Sequence, residues 1–227
     1  MSKHVEIVVL VEGRTEQIFI QDLVAPYLAQ RGIYITPIQI SKPGQKGGDV
    51  KFPRVRNDIG MHLKQRSDTY LTLFVDYYGI NVEWPGLTKA KGEATPAAKA
   101  AKVNAATKNK VNELFKSLDS DRRFIPYIAM YEFEALLFSG PEQLAEQLQV
   151  PRRGIDKILE QCGEPERIND SQHTAPSKRL EKLTSRFKKT STGIAVAKAI
   201  GLPGIRDRCP IFNGWLAEIE NLKAGRK

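Results

Sequence analysis

Residues 5–16 read VEIVVLVEGRTE, a β-branched apolar run followed by a short polar segment. A nearly continuous apolar run of this length is typical of a buried parallel strand. Glu12-Gly13-Arg14 then predicts a turn, and apolar residues at helical spacing predict a helix over 14–24. Pro26 predicts a kink or an early end of that helix. A strand followed at once by a helix is the repeating unit of an open α/β sheet.

The same alternation of strand and helix continues to about residue 131. Further strands are expected at 33–40, 70–75 and 124–130, and helices at 53–66 and 95–117. Pro37 within the second strand indicates an edge position, and Thr95 before Pro96 is expected to cap a helix. Residues 42–51 are expected to form a flexible loop. We therefore predict an open parallel sheet of about four strands with flanking helices and right-handed crossovers.

Beyond residue 131 the pattern becomes helical, which predicts a second part of the chain. Helices are expected at 133–148, 152–161, 177–188 and 211–223. We expect residues 1–140 to form the α/β domain and 141–227 a basic helical extension packed on it. Residues 1–150 contain 19 basic and 17 acidic side chains, a net +2, whereas 151–227 contain 16 and 9, a net +7. The extension is therefore either a solvated basic face or a surface for a polyanion.

Composition excludes several classes of protein. The 41% hydrophobic and 27% charged residues are typical of a globular chain. Two cysteines are too few for a disulfide framework or a four-cysteine zinc site, which fits a reducing cytoplasm. No apolar stretch approaches the roughly 20 residues of a membrane helix, so neither a membrane partner nor a membrane location is expected. The sequence contains no phosphate-binding loop of the ATPase type, so any ATPase must be a separate subunit.

Carboxylates follow three of the predicted strands. Glu12 follows the first strand, Asp76 ends the third, and Glu132 and Glu134 follow the fourth, while Glu16 can reach the same edge from a helix. Ligands of open α/β sheets bind beyond the carboxyl ends of the strands, and clustered carboxylates repel unless a cation or protons neutralise them. Hard oxygen ligands suit Mg²⁺ or Mn²⁺. The alternative is structural, because acids after strands also cap the next helix.

Glu132-Phe133-Glu134 places two acids on one side of an extended segment but on roughly opposite faces of a helix. Because the residues around them have helical spacing, we expect one acid to face the site, with Glu132 ahead of Glu134. Either acid can instead cap a helix or pair with a basic residue. If the site binds a metal ion, the carboxylates of Glu12, Asp76 and Glu132 should converge to within a few Å of one point.

Ser177-Lys178-Arg179 after a proline predicts a helix start, and Lys182 follows one turn later. Free backbone N–H groups together with serine, lysine and arginine side chains can grip a phosphate. Arg14 lies at the other predicted helix start, next to Glu12. The alternative for these residues is an ordinary helix cap with exposed cations.

Several motifs carry a family resemblance. Residues 11–16 (VEGRTE) resemble the first motif of Toprim domains, the metal-dependent unit of topoisomerases, primases and OLD-family nucleases. The segments FVDYYG (74–79), RFIPYI (123–128), YEFEALLF (131–138) and TAPSKR (174–179) resemble, in this order, a Toprim-related bacterial family catalogued as domain of unknown function 4276. The resemblance covers nearly the whole chain.

The resemblance implies a Toprim-like fold and a role for particular residues. Glu12 matches the Toprim glutamate, a general acid or base, and Asp76 matches the first metal-binding aspartate. Toprim domains usually have Asp-x-Asp at the second motif, whereas this chain has Asp76-Tyr77-Tyr78. A phenol is neutral at pH 7 and is a poor ligand of Mg²⁺. The resemblance also implies a separate AAA- or ABC-type ATPase partner and a place in a prokaryotic anti-phage defence system.

Two functions from different classes remain open. In the first, the chain is a Mg²⁺-dependent nuclease acting on DNA or RNA, with Glu12, Asp76 and Glu132 as catalytic residues. Its predicted metal ligands are Glu12, Glu16, Asp76, Glu132 and Glu134, and its predicted nucleic-acid contacts are Arg14, Ser177, Lys178, Arg179 and Lys182. In the second, it is a noncatalytic, degenerate Toprim effector or adaptor that binds nucleic acid or an ATPase. Tyr78 favours the second function, and the acids at separate strand ends favour the first.

Overall fold

The computed structural model describes residues 4–41, 50–169 and 174–223. Its centre is a parallel sheet of β1 (Val5–Val11), β2 (Ile33–Gln39), β3 (Thr69–Asp76), β4 (Phe124–Ile125) and β5 (Ile128–Ala129). The order is β2-β1-β3, and both β4 and β5 pair with the free side of β3. The predicted open parallel sheet is thus confirmed. Residues 42–49 of the predicted loop lie outside the described residues.

Proline determines the character of both outer strands. Pro37 lies in β2, opposite Val9 of β1, and β2 is an edge strand as expected. Pro126 divides the single predicted strand 124–130 into β4 and β5, because proline has no N–H for the ladder. Leu71 pairs with Phe124 and Val75 with Ile128, so both short strands keep one register against β3.

Helices connect and follow the strands. They are α1 (Arg14–Phe19), α2 (Ala25–Ala29), α3 (Phe52–Gln65), α4 (Leu87–Ala90), α5 (Pro96–Phe115), α6 (Ser120–Arg123), α7 (Pro141–Leu148), α8 (Arg152–Cys162), α9 (Pro176–Leu183), α10 (Ile194–Arg208) and α11 (Pro210–Glu220). A π-helical turn, Ile20–Val24, joins α1 to α2 ahead of Pro26. Thr95 caps α5, accepting a hydrogen bond from the Ala98 N–H. Within the described residues, no helix has both the length and the apolar character to cross a membrane.

Two predicted helix boundaries are wrong, and one helix was not predicted. The segment 133–148 consists of a 3-10 helix, Phe133–Ser139, followed by α7, because the Gly140 backbone is not helical and Pro141 starts a new helix. The helix predicted at 177–188 ends at Leu183. Helix α10 was not predicted, since Gly201 and Pro203 interrupt its apolar pattern, and Gly201 adopts a positive φ of 73° inside it.

The C-terminal helices form one layer over the sheet. Phe74 of β3 packs against Phe19 of α1 and Trp215 of α11, with ring centroids 6.0 and 5.6 Å apart. The Trp215 indole also donates a 2.9 Å hydrogen bond to the hydroxyl of Thr72 in β3. Residues after 141 therefore share a hydrophobic core with the sheet.

The opposite layer is formed by α3 and α5. Val55 of α3 and Val103 of α5 are fully buried in a second core with Leu73 and Val75 of β3. Alternate residues of β3 thus face different layers, as the period of a strand requires. With both faces covered, the carboxyl edge of the sheet is left to carry polar groups.

Arg123 ties the amino end of β3 to its surroundings. Its Nε donates to the Thr69 carbonyl at 3.0 Å, and Nη1 donates to the carbonyls of Leu63 (3.1 Å) and Leu118 (2.9 Å). Nη2 donates to the Arg66 carbonyl. One buried guanidinium therefore satisfies four carbonyls from three segments.

Replacing Arg123 with methionine is expected to lower the free energy of unfolding by about 3 kcal/mol, because carbonyls in a desolvated setting lose a charged donor. Urea unfolding followed by circular dichroism measures the change. Arg122→Met is the matched control, since Arg122 is exposed on the same helix. Equal stability of the two variants would contradict this account of Arg123.

Candidate functional site

Acidic side chains meet at the carboxyl edge of the sheet. One directly follows β1, one lies in the first turn of α1, one ends β3, and two follow β5. We call this group the acid mouth: Glu12, Glu16, Asp76, Glu132 and Glu134. The topology thus brings to one edge the carboxylates that sequence analysis singled out.

Glu12 and Glu16 are held by close backbone contacts. The Gly13 N–H donates a 2.9 Å hydrogen bond to Oε2 of Glu16, which buries that side chain against its own helix start. The Glu12 carboxyl lies against Gly79, where a Cβ would approach Glu12 Oε2 to 2.0 Å. Any side chain at residue 79 would displace Glu12. Glycine at residue 79 therefore allows the Glu12 carboxyl to lie directly against this loop.

Asp76 is the centre of the acid mouth. Its Oδ1 accepts a 2.9 Å hydrogen bond from the Phe133 N–H. Burial, followed by the negative charges of Glu16, Glu12 and Glu134, raises the pKa of Asp76 well above its usual range. Burial likewise raises the pKa of Glu16, and Glu12 adds to that effect. Acids from three separate segments thus act on one another electrostatically.

Glu134 and Glu132 point to different partners. Glu134 is buried, and its Oε1 lies 3.0 Å from Nζ of Lys189, while burial raises the pKa of Glu134 to about 7. Glu132 Oε2 instead accepts a 2.8 Å hydrogen bond from the Ser177 N–H. Glu134, and not Glu132, is the acid of this pair that raises the pKa of Asp76. The 3-10 turn starting at Phe133 separates the two carboxyls. We expected Glu132 to face the site, but Glu134 is the acid that lies near Asp76.

Lys189 supplies a positive charge that sequence analysis missed. It lies in a π-helical turn, Lys189–Gly193, and its side chain is 45% exposed. Burial favours the neutral amine, but Glu134, Glu132 and Asp76 outweigh that effect and raise the pKa of Lys189. The sequence shows only a basic run that includes Lys188 and Lys189. Nothing in such a run indicates which lysine turns toward the acids.

The predicted nucleic-acid contacts are only partly brought to the acid mouth. Ser177 is buried, and its N–H is already bonded to Glu132. Lys178 forms an exposed 2.8 Å ion pair with Glu181, and the Arg179 Nε donates to the Thr174 carbonyl at 2.9 Å. Lys182 is exposed on the same helix, and Arg14 is exposed on α1, bonded to Gln17 at 3.0 Å. Their binding of nucleic acid stays a prediction.

Tyr78 stands two residues after Asp76, where the resemblance to Toprim domains would place a second aspartate. Its hydroxyl donates to Oδ1 of Asn169, a residue that sequence analysis did not select. Its ring lies 5.5 Å from that of Tyr131 and 6.2 Å from that of Tyr77. Burial raises the pKa of Tyr78 to about 12, so the phenol is neutral. It therefore brings no charge to the acid mouth.

The donor chemistry of the acid mouth fits a hard divalent cation, although a finished site is not preformed. Among the described residues, no three Asp, Glu, His or Cys side chains are grouped to hold a metal ion. The expected convergence of Glu12, Asp76 and Glu132 on one point is therefore not met, and Glu132 is turned to α9. Glu134 Oε2, however, is buried and has no hydrogen-bond partner in the described part of the chain. A cation would satisfy such an oxygen and relieve the repulsion around Asp76.

The chain matches one protein-family model and is similar to two solved structures. The family model described as "Domain of unknown function (DUF4276)" matches residues 11–220. Two structures of the C-terminal region of the Xanthomonas campestris pv. campestris OLD protein, phased with iodine and with mercury, are similar at 16% and 14% identity. Their TM-scores are 0.40 and 0.39, and each comparison covers 96% of this chain and 95% of the other. No curated protein sequence matches.

Proposed function

The chain belongs to the DUF4276 family, and from this premise we propose that it is a Mg²⁺- or Mn²⁺-dependent, Toprim-like nuclease that hydrolyses phosphodiesters of DNA or RNA. The observation that carries the proposal is the placement of acids from separate strand ends at one edge of the sheet, where burial, followed by the charges of Glu16, Glu12 and Glu134, raises the pKa of Asp76 well above its usual range. Isolated helix caps would not produce this effect, because they would not share one desolvated edge.

Glu16, Asp76 and Glu134 are the residues that would hold the cation once their side chains have moved together, because no three such side chains of the described residues are already grouped for a metal ion. Two of them are buried carboxylates, and Glu134 has an oxygen without a hydrogen-bond partner among the described residues. A bound divalent cation would activate water and stabilise the leaving oxygen of a phosphodiester. The Phe133 N–H donates to Oδ1 of Asp76 and so restrains this carboxylate at the edge of the sheet.

The remaining charged groups have separate roles in the proposal. Glu12 lies against the backbone at Gly79, next to Asp76, where it can accept or donate the proton of the reaction. Lys189 is half exposed beside the buried Glu134, so its ammonium can hold a negatively charged phosphate at the acids. We assign Glu132 to positioning, because its carboxylate fixes the start of α9 through the Ser177 N–H.

A second candidate function is a noncatalytic effector that binds nucleic acid or a separate AAA- or ABC-type ATPase, including one of an anti-phage defence system. Two observations favour it. Tyr78 is neutral and bonded to Asn169 where a carboxylate would be expected. Lys189 already pairs with Glu134, which supplies part of the charge that a cation would bring.

Cleavage assays decide between the two functions. Wild-type protein, alone and with a candidate AAA- or ABC-type ATPase, is incubated with labelled DNA and RNA in Mg²⁺ or Mn²⁺. Glu12→Gln is expected to lower the cleavage rate at least about 100-fold while leaving nucleic-acid binding intact. Glu160→Gln, on the exposed face of α8, is the matched control. Binding without cleavage by the wild type under all these conditions would reject the nuclease and support the effector.

A further inference from the structure

A basic groove runs along the outer side of α3. One recess of about 490 Å³ is lined by residues that include Lys51, Arg54 and Arg56. It continues into a second recess of about 360 Å³ between α3 and α5, and the two recesses share Arg56 and Asn57. Lys64 lies at the far end, beside the exposed side chain of Met61. We call this surface, from Lys51 to Lys64, the α3 groove.

Cations outnumber acids along the α3 groove. Asp58 is the one acid among its lining residues in the described chain, and it is buried, accepting two 2.9 Å hydrogen bonds from Ser41. Arg56 and Lys64 are exposed and form no ion pair with any described residue. On α9, by contrast, Lys178 is paired with Glu181. Arg56 and Lys64 are thus available to an outside anion.

The first residues of the α3 groove follow a segment that is hydrogen-bonded to the loop at Gly79, beside the acid mouth. The Val50 N–H donates to the Gly79 carbonyl at 2.7 Å, and the Asn81 N–H donates to the Val50 carbonyl at 3.1 Å. Gly79 is the residue against which the Glu12 carboxyl lies. Lys51, the first cation of the groove, follows Val50 directly. The groove therefore starts in the chain at the segment whose backbone pairs with the Gly79 loop.

We propose that the α3 groove holds the sugar–phosphate backbone of the nucleic acid whose cleaved phosphodiester lies at the acid mouth, a proposal that rests on the proposed function. Phosphates contact Arg56 and Lys64, and the apolar side chain of Met61 packs against sugars between them. From Lys51 to Lys64 the helix rises about 20 Å at 1.5 Å per residue. This length corresponds to about six nucleotides of a duplex strand at 3.4 Å each.

Binding is measured by fluorescence anisotropy with labelled DNA and RNA of 20 nucleotides, both single-stranded and duplex. EDTA is present to remove divalent cations, so that no cleavage occurs. Arg56→Glu/Lys64→Glu is expected to weaken binding at least about tenfold at 0.1 M salt. The neutral variant Arg56→Gln/Lys64→Gln should reduce the slope of log K against log salt by about 2, because two phosphate contacts are lost. Arg153→Glu/Lys157→Glu, an exposed pair on α8 with the same change of charge, is the matched control and should bind within about threefold of wild type.

Four results would overturn the proposal. The α3 variant can bind as well as the α8 control, or Lys178→Glu/Lys182→Glu on α9 can weaken binding more than the α3 variant does. A hairpin with a four-base-pair stem can also bind as tightly as one with a twelve-base-pair stem, which would confine contacts to the acid mouth. Binding that depends on α3 in a protein that never cleaves supports the groove and rejects the nuclease. Cleavage unaffected by the α3 variants supports the nuclease and rejects the groove.

Discussion

Asp76→Asn is expected to reduce Mg²⁺-dependent cleavage at least about 1,000-fold and at the same time to stabilise the fold. The amide retains an oxygen for the Phe133 N–H, so the local geometry can persist. It removes the negative charge that Glu16, Glu12 and Glu134 repel, and with it an unfavourable term of the folded state at neutral pH. Cleavage rates and thermal unfolding at pH 8 measure the two effects.

Opposite changes in activity and stability distinguish a functional acid from a structural one. Asp121→Asn is the matched control, because Asp121 is exposed on α6, and it should leave both activity and melting temperature unchanged. A loss of stability in Asp76→Asn would show that the carboxylate is a structural cap. Retained cleavage would exclude Asp76 from metal binding.

The second large effect concerns Glu166, which fixes the start of α11. Its two carboxyl oxygens accept hydrogen bonds from the N–H groups of Ile211 (2.8 Å) and Phe212 (2.9 Å). Burial raises its pKa from 4.5 to about 7, although these hydrogen bonds oppose the shift. Trp215 of α11 packs against Phe74 of β3. Glu166 therefore stabilises the helix that covers this face of the sheet.

The raised pKa of Glu166 predicts that the free energy of unfolding decreases as pH rises. Between pH 4.5 and 7 the folded chain binds the Glu166 proton more tightly than the unfolded chain does, so stability falls as pH rises through this window. The contribution lost by pH 8 is about 3 kcal/mol, from 1.36 kcal/mol per pKa unit. Glu166→Gln cannot titrate, so its free energy of unfolding should change less between pH 5 and 8.

Chemical unfolding at pH 5, 6, 7 and 8 tests this expectation, with Glu146→Gln on the exposed face of α7 as the matched control. The control should keep the full pH dependence of the wild type. An unchanged pH dependence in Glu166→Gln would contradict the raised pKa. Glu166→Ala, which leaves two backbone N–H groups of α11 without their acceptor, should be the least stable variant at every pH.

Local chemistry made much of the fold predictable. The apolar β-branched run 5–11 forms β1 with the predicted bounds, and Pro37 marks an edge strand because it cannot donate to a second neighbour. Thr95 before a proline starts α5 because its side chain satisfies a free N–H of the first turn. Segment 133–139 was mispredicted because Phe133, Leu136 and Leu137 have a spacing that both an α-helix and a 3-10 helix can bury.

The sequence predicts the alternation of strands and helices because residues a few positions apart specify each element. The positions of the acids at the strand ends follow from the same local pattern. The sequence by itself therefore determined the parallel sheet and the edge at which Glu12 and Asp76 lie. Only the tertiary structure decided that Glu134 faces Asp76, that Glu132 binds the Ser177 N–H 45 residues away, and that Lys189 completes the acid mouth. These contacts join segments far apart in the chain, and packing of the helices on the sheet, not local periodicity, determines which side chains meet.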